Sequence, residues 1–209
     1  QCDLLLTDIL IPHVRPGMIL SSRDISEAYQ VGRTPVRDAL ISLSKEGLIT
    51  FLPQRGTMIS KINYDKVLNE RFLRTCVEEK VILEFMAVCD LKAITELEMS
   101  LDRQEKFVEE EDIRAFLAED MYFHSIFYVG VNKGYCNDII SANSGHYMRI
   151  RLLAMADQGI DREALKQHKE ITDAILAKDW ERLHSILTFH LNRLVNLERA
   201  LLSKYPDLF

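Results

Sequence analysis

The stretch "QVGRTPVRDALISLSKEGLI", residues 30–49, carries its own start and stop signals. Thr34 reads as a helix cap and Pro35 as the first helical residue, where a missing N–H costs nothing. Val36, Ala39, Leu40 and Leu43 then fall at i, i+3, i+4 and i+7, which lines one face of the helix with apolar side chains. Gly47 supplies the left-handed stop. Just upstream, "SSRDISEAY" (21–29) predicts a shorter helix capped by Ser22, with Ile25, Ala28 and Tyr29 facing inward. Two helices joined by the tight turn over 30–33 make a helix-turn-helix.

Working outward from that pair, residues 3–11 predict a helix and "RPGMIL" (15–20) a turn followed by a short extended piece. After Gly47, "LITFL" and "TMISKI" are β-prone runs joined by "PQRG", a hairpin whose tip carries Gln54, Arg55 and Gly56. The sum is a winged helix-turn-helix of three helices plus a β-hairpin wing. Arg33 and Arg37 lie at the N-terminal end of the second helix of the pair, the end that enters a major groove in such motifs. Each guanidinium offers a bidentate fork suited to guanine. Solvated surface charge is the plain alternative for any single arginine, and the capped geometry with an arginine-tipped wing argues against it here.

Charge is distributed in the same sense. Residues 1–62 carry seven Lys and Arg against six Asp and Glu, whereas residues 63–209 carry nineteen against twenty-six. Only the first segment suits a phosphate backbone. Prolines and glycines punctuate the chain as far as Gly56, and from Lys61 the next proline is Pro206. The boundary is therefore placed between residues 62 and 63. The remainder, with recurring three-and-four apolar spacing, predicts an antiparallel all-helical bundle. Helices are expected over 64–88, 92–110, 112–130, 134–156, 161–178 and 179–203.

No apolar run approaches the ~18 residues that would suggest a membrane span. The N-terminal "QCDLLLTDILIPH" lacks the basic leader of a signal peptide. Cys2, Cys76, Cys89 and Cys136 are scattered without a CxxC, and read as reduced, mostly buried thiols of a cytoplasmic protein.

Residues 16–60, "PGMILSSRDISEAYQVGRTPVRDALISLSKEGLITFLPQRGTMIS", resemble the N-terminal domain of the GntR family of bacterial transcription regulators almost end to end. The resemblance implies base or phosphate contacts from Arg23, Arg33 and Arg37, a phosphate contact from Thr34, and approach of the Gly56 wing to the minor groove. Arg55 joins them from the wing tip. Gly32 departs from the family's usual Ser or Thr, removing a hydroxyl that would touch phosphate.

In the helical region, "AEDMYFHSIFY" (118–128) sets Asp120 and His124 one turn apart on one helix face. His168 and His190 stand on apolar faces of two other predicted helices. A single such histidine is usually a hydrogen-bonded core residue. Three histidines and an aspartate buried together would each cost ~1–3 kcal/mol if unpaired, so convergence on a divalent metal would satisfy them all. Three nitrogens and one oxygen suit zinc first, and also nickel, manganese or iron. His146 and His184 read as surface or ordinary packing, and Trp180, Phe189 and the methionines as core.

Residues 66–203 in turn resemble the FCD ligand-binding domain of the FadR branch of that family. Asp120, His124, His168 and His190 match its four metal positions, Arg74 and Glu78 its R-x3-E, and Asn132 its turn. The resemblance implies a small organic acid completing the metal's coordination, with Arg74 and Arg149 or Arg151 helping to bind it. The expected function is a homodimeric DNA-binding regulator, a repressor, on a palindromic operator. A metal-dependent enzyme acting on a small organic acid, or a metal-free dimerisation module, are the alternatives.

Overall fold

The computed structural model describes residues 15–159 and 162–209. The helix expected over 3–11, and Cys2, lie outside the described residues. The elements run β1 (Ile19–Leu20), α1 (Ser22–Ala28), α2 (Arg33–Glu46), β2 (Ile49–Leu52), β3 (Gly56–Ile59), α3 (Tyr64–Val88), α4 (Leu91–Glu109) and α5 (Ile113–Gly130). They continue with α6 (Gly134–Ser141), α7 (Gly145–Gln158), α8 (Arg162–Leu176), α9 (Trp180–Asn192), α10 (Val195–Lys204) and a 3-10 turn at Pro206–Leu208. The fold is mainly helical, a winged helix-turn-helix followed by a helical domain. Two compact units emerge. One comprises the described residues up to Glu70 with Ala142–Leu153 and Arg199–Phe209; the other comprises Arg71–Ser141 and Ala154–Glu198. The division falls within α3, α7 and α10 rather than at one cut in the chain.

In the first unit, the stripe of α2 is buried as its spacing requires. Val36, Ala39, Leu40 and Leu43 pack with Ile25, Leu48, Ile49 and Ile59. Gly47 ends α2 at φ 79°, its N–H bonding back to the carbonyls of Leu43 and Ser44. The helix starts differ from expectation by one or two residues. Ser21, not Ser22, caps α1, accepting from Asp24 N at 3.0 Å. Gly32, not Thr34, occupies the cap position of α2 and offers no side-chain bond. Pro35 is thus the third helical residue, where its absent N–H is still one the helix would leave unpaired. Ala28, expected inside, is exposed.

The wing is a three-stranded antiparallel sheet in the order β1-β3-β2, not a hairpin alone. The extended piece before α1 pairs Ile19 with Met58 and Leu20 with Thr57. This third strand explains Gly56, whose φ is +114° and where a Cβ would lie 2.7 Å from the Leu20 carbonyl oxygen. Within the same unit, Arg149 Nη1 donates to Ser60 O at 2.8 Å and Lys66 Nζ to Glu46 O at 2.6 Å.

The second unit is all helix. Aspartates at 90, 112 and 179 cap α4, α5 and α9 by accepting from backbone N–H groups three residues on, the local reason these helices begin where they do. Its centre holds Phe85, Phe123 and Phe127, packed edge to face at 5.1 and 5.2 Å. Gly130 permits that packing, since a Cβ there would meet the Phe85 ring at 2.5 Å. Asn132 turns the chain after α5 at φ 56°, a conformation asparagine tolerates.

Several sequence expectations are corrected. The helix expected over 134–156 is two, α6 and α7, broken at Ala142 and the polar Asn143 and Ser144; the one over 179–203 breaks at Arg193 and Leu194. Trp180 and Phe189 are 52% and 62% exposed, and Met18, Met99 and Met121 are also outside. Cys76 is exposed while Cys89 and Cys136 are half-buried, all free. His146, by contrast, takes the packing role that was one of its two expected readings: it is buried, with Nδ1 accepting from Asn63 N at 3.1 Å.

Candidate metal centre and DNA-facing surface

Four side chains singled out in the sequence meet inside the second unit. Asp120 and His124 come from α5, His168 from α8 and His190 from α9, and none is more than 6% exposed. One nitrogen from each histidine lies within 4.8 Å of the others. His190 Nε2 stands 3.4 Å from His124 Nε2, and His168 Nε2 stands 3.6 Å from Asp120 Oδ1. The Phe123 ring stacks on His168 at 4.4 Å between centroids, giving the cluster an apolar wall.

What orients the rings is the other nitrogen of each. His168 Nδ1 meets Gln104 Oε1 at 2.7 Å, His190 Nδ1 meets Gln167 Oε1 at 2.8 Å, and His124 Nδ1 contacts the Glu78 carboxylate. Which amide atom faces each ring is settled one bond further out. Gln104 Nε2 donates to Ser100 Oγ at 3.4 Å and Gln167 Nε2 to Glu163 Oε1 at 3.2 Å, so each Oε1 is turned to its histidine as an acceptor. Ser100 is pinned in turn by donating to Glu119 at 2.6 Å, and Arg103 holds Glu119 at 3.0 Å. With an acceptor at every Nδ1, hydrogen belongs on Nδ1 and the lone pair on Nε2. Three histidine lone pairs therefore face one small volume, with the Asp120 carboxylate at its edge, beside His168.

That donor set fits a divalent ion. Zinc–nitrogen bonds of ~2.1 Å at the tetrahedral angle imply N···N edges of about 3.4 Å, the spacing found between His124 and His190. Acceptors on the far ring nitrogens are the outer shell that such ligands need. Electrostatics agree. Burial, then His124, pushes His190 down to about 3, which keeps it neutral and its lone pair available. Burial alone would raise the Glu78 carboxyl, but Arg74 and then His124 outweigh it and hold it well below the usual range. Glu78 is 1% exposed and accepts from Arg74 Nε at 2.8 Å.

The expected anion-binding arginines separate. Arg74 joins the centre through Glu78. Arg149 and Arg151 belong to the first unit, and both are buried, at 5% and 3% exposure, although they hold alternate positions of α7. Burial lowers Arg149 to about 10. Sequence reasoning missed Gln104 and Gln167 as well as the contact of Glu78 with His124. A signal existed for Gln104: it continues the buried spacing of Leu97, Leu101 and Val108 along α4, where a polar residue needs a partner.

In the first unit, Arg33, Thr34 and Arg37 are exposed on the first turns of α2, and Arg55 is exposed at the wing tip. Arg23 is exposed too and pairs with Glu27 at 2.8 Å; such a surface pair holds only ~0–1 kcal/mol, so it does not lock the guanidinium in place. Gly56 is half-buried at the start of β3.

A winged helix-turn-helix with outward arginines on its second helix and wing is the build of a DNA-binding transcriptional regulator. The chain belongs to the gntR family of bacterial regulatory proteins, matched over residues 2–59, and carries an FCD domain over residues 72–193. It is 27% identical over 206 residues to the HTH-type transcriptional repressor RspR of Escherichia coli (strain K12), covering 99% of this chain and 90% of that protein. The HTH-type transcriptional repressor GlaR of the same organism is 24% identical over 200 residues, covering 90% and 89%. Two solved structures share the fold. Escherichia coli McbR/YncC has a TM-score of 0.79 at 18% identity, covering 95% of each chain. A putative transcriptional regulator GntR from Rhodococcus sp. RHA1 has a TM-score of 0.74 at 23% identity, covering 97% and 95%. Among the described residues, no helix is long and apolar enough to cross a membrane.

Proposed function

We propose that this transcriptional regulator is a cytoplasmic repressor that binds a palindromic operator as a homodimer, and that a small carboxylic acid held at a divalent metal in the helical domain controls it. Arg33 and Arg37 read bases from the N-terminal end of α2, Thr34 and Arg23 take phosphates, and Arg55 serves the wing with Gly56 shaping its tip. Asp120, His124, His168 and His190 hold the ion, zinc first by donor set, with nickel, manganese or iron as the other fits. When bound, the ion supplies a positive centre with open coordination positions for an acid's oxygen. Arg74 supplies the second positive group, and is the arginine we assign to the acid.

The observation carrying this reading is the tautomer lock: every histidine of the trio has an acceptor at Nδ1, so every Nε2 lone pair is turned inward. The acid can shift DNA affinity only through unequal affinity for the DNA-competent and incompetent states. The test joins elemental analysis to gel retardation. Protein purified without chelator should hold close to one equivalent of metal per chain and retard its own upstream DNA. Chelation should change how organic acids alter that retardation. Less than a tenth of an equivalent after supplementation, or no retardation at low salt, would sink the metal or the DNA half respectively.

A further inference from the structure

Asp120, His124 and Tyr128 succeed one another at i, i+4 and i+8 on α5, so the tyrosine extends the metal-facing stripe by one turn. Its side chain is 1% exposed, yet its hydroxyl has no hydrogen-bond partner among the described residues. The charges nearest in influence are those of the centre itself. Burial raises the phenol well above its ordinary value, the Glu78 carboxylate raises it further, and Arg74 opposes both. The hydroxyl is therefore a protonated, neutral donor within electrostatic reach of Arg74 and Glu78. Phenylalanine would fill the same volume with nothing left to satisfy, as Phe123 and Phe127 do on the same helix. A buried O–H with no acceptor among the described residues is explained if the acceptor belongs to a ligand.

We propose that Tyr128 is a recognition residue for the acid, its hydroxyl donating to a second oxygen-bearing group beyond the carboxylate held at the metal. The inference rests on the metal-held acid proposed above and narrows its class. A simple monocarboxylate offers its one oxygen pair to the metal and Arg74 and leaves Tyr128 unserved. A hydroxy acid or dicarboxylate has an acceptor to spare. A site built to donate a hydrogen bond discriminates strongly against a ligand lacking the acceptor.

Metal-loaded wild-type protein and Tyr128→Phe are titrated calorimetrically with propionate, succinate, malate and citrate, and the ligand-induced rise in melting temperature is read in parallel. Wild type should bind at least one of the three larger acids ten-fold or more tighter than propionate. In the variant that gap should close to within about three-fold while the metal content stays the same. An unchanged gap in Tyr128→Phe, with metal retained, overturns the role of Tyr128 and leaves the metal-held acid standing. If no acid binds metal-loaded wild type, the metal-held acid falls and this inference with it. Tyr128→Leu, which also removes the ring, separates lost packing from a lost hydroxyl: only packing loss lowers the ligand-free melting temperature in Leu but not in Phe.

Discussion

Replacing Gln167 with Leu tests the tautomer lock without touching a proposed ligand. Gln167 is 2% exposed, and its Oε1 is the acceptor 2.8 Å from His190 Nδ1. Leucine leaves that nitrogen facing hydrocarbon, so the imidazole loses the bond that fixes both its angle and its proton. Outer-shell losses of this kind typically weaken metal binding ~10–100-fold. The effect can be read as stabilisation. With free zinc at 100 times the wild-type Kd, binding stabilises the fold by ~2.7 kcal/mol. At ~2–4 °C per kcal/mol for a chain of this size, wild type should melt about 5–11 °C higher with zinc than without. At the same zinc concentration the variant keeps only ~0.4–1.4 kcal/mol, or about 1–6 °C. Removing the acceptor also lowers metal-free stability by ~1–3 kcal/mol, so each protein is compared with its own metal-free melt. Equal zinc-induced shifts in Gln167→Leu and wild type would refute the claim that the Nδ1 acceptors prepare this centre.

Three further outcomes follow from the first unit. Gly56→Ala should cost ~1–3 kcal/mol in thermal unfolding, because φ +114° and the Leu20 carbonyl both exclude a Cβ; an unchanged melt would show that the wing relaxes. Arg33→Ala and Arg37→Ala should each weaken operator binding by ~1–3 kcal/mol in gel retardation, while the melting temperature barely moves because both side chains are exposed. Glu46→Gln should change the pH profile of stability. Burial, then the Glu70 charge, raises Glu46 to about 7 against the pull of Lys66, so this carboxyl's contribution is complete below pH 4.5 and is lost as pH rises through about 7. The melting temperature of Glu46→Gln relative to wild type should thus climb between pH 4.5 and 8, and a flat difference would refute the shift. His146, lowered to about 4 by burial and then Lys66, adds the opposite slope below pH 6.5 to both proteins and largely cancels.

The recognition helix was legible because its signals are local: four apolar positions at helical spacing and a glycine stop decide it without reference to the rest of the chain. The wing's third strand was not. Only two residues of "RPGMIL" pair with β3, and a two-residue strand leaves no period to read. The four inward residues of the candidate metal centre were each visible as a polar group on an apolar face. Their convergence was not, since the histidines at 124, 168 and 190 sit on three helices whose packing no local pattern specifies. The exposed Trp180 and Phe189 mark the matching failure, where bulk apolar character was read as burial. The breaks within 134–156 and 179–203 escaped for another reason. The first of them carried a turn signal in Asn143, Ser144 and Gly145 that the helical spacing on either side outweighed, whereas Arg193 with Leu194 carries none.

The choice of outer groups around the centre bears directly on what it could bind. Carboxylates make the strongest acceptors for a histidine Nδ1–H, yet two of the three positions are the neutral amides of Gln104 and Gln167. The third, Glu78, is balanced by Arg74 at 2.8 Å. On the proposed function, a divalent ion with Asp120 and three neutral imidazoles therefore keeps one net positive charge. Carboxylates at both amide positions would turn it to one net negative charge and repel an anion inside a buried volume, where charges are weakly screened. The amides fix the tautomers at no cost in charge. A centre meant only to grip metal gains nothing from that restraint, whereas one that must admit an acid within a net-negative domain requires it.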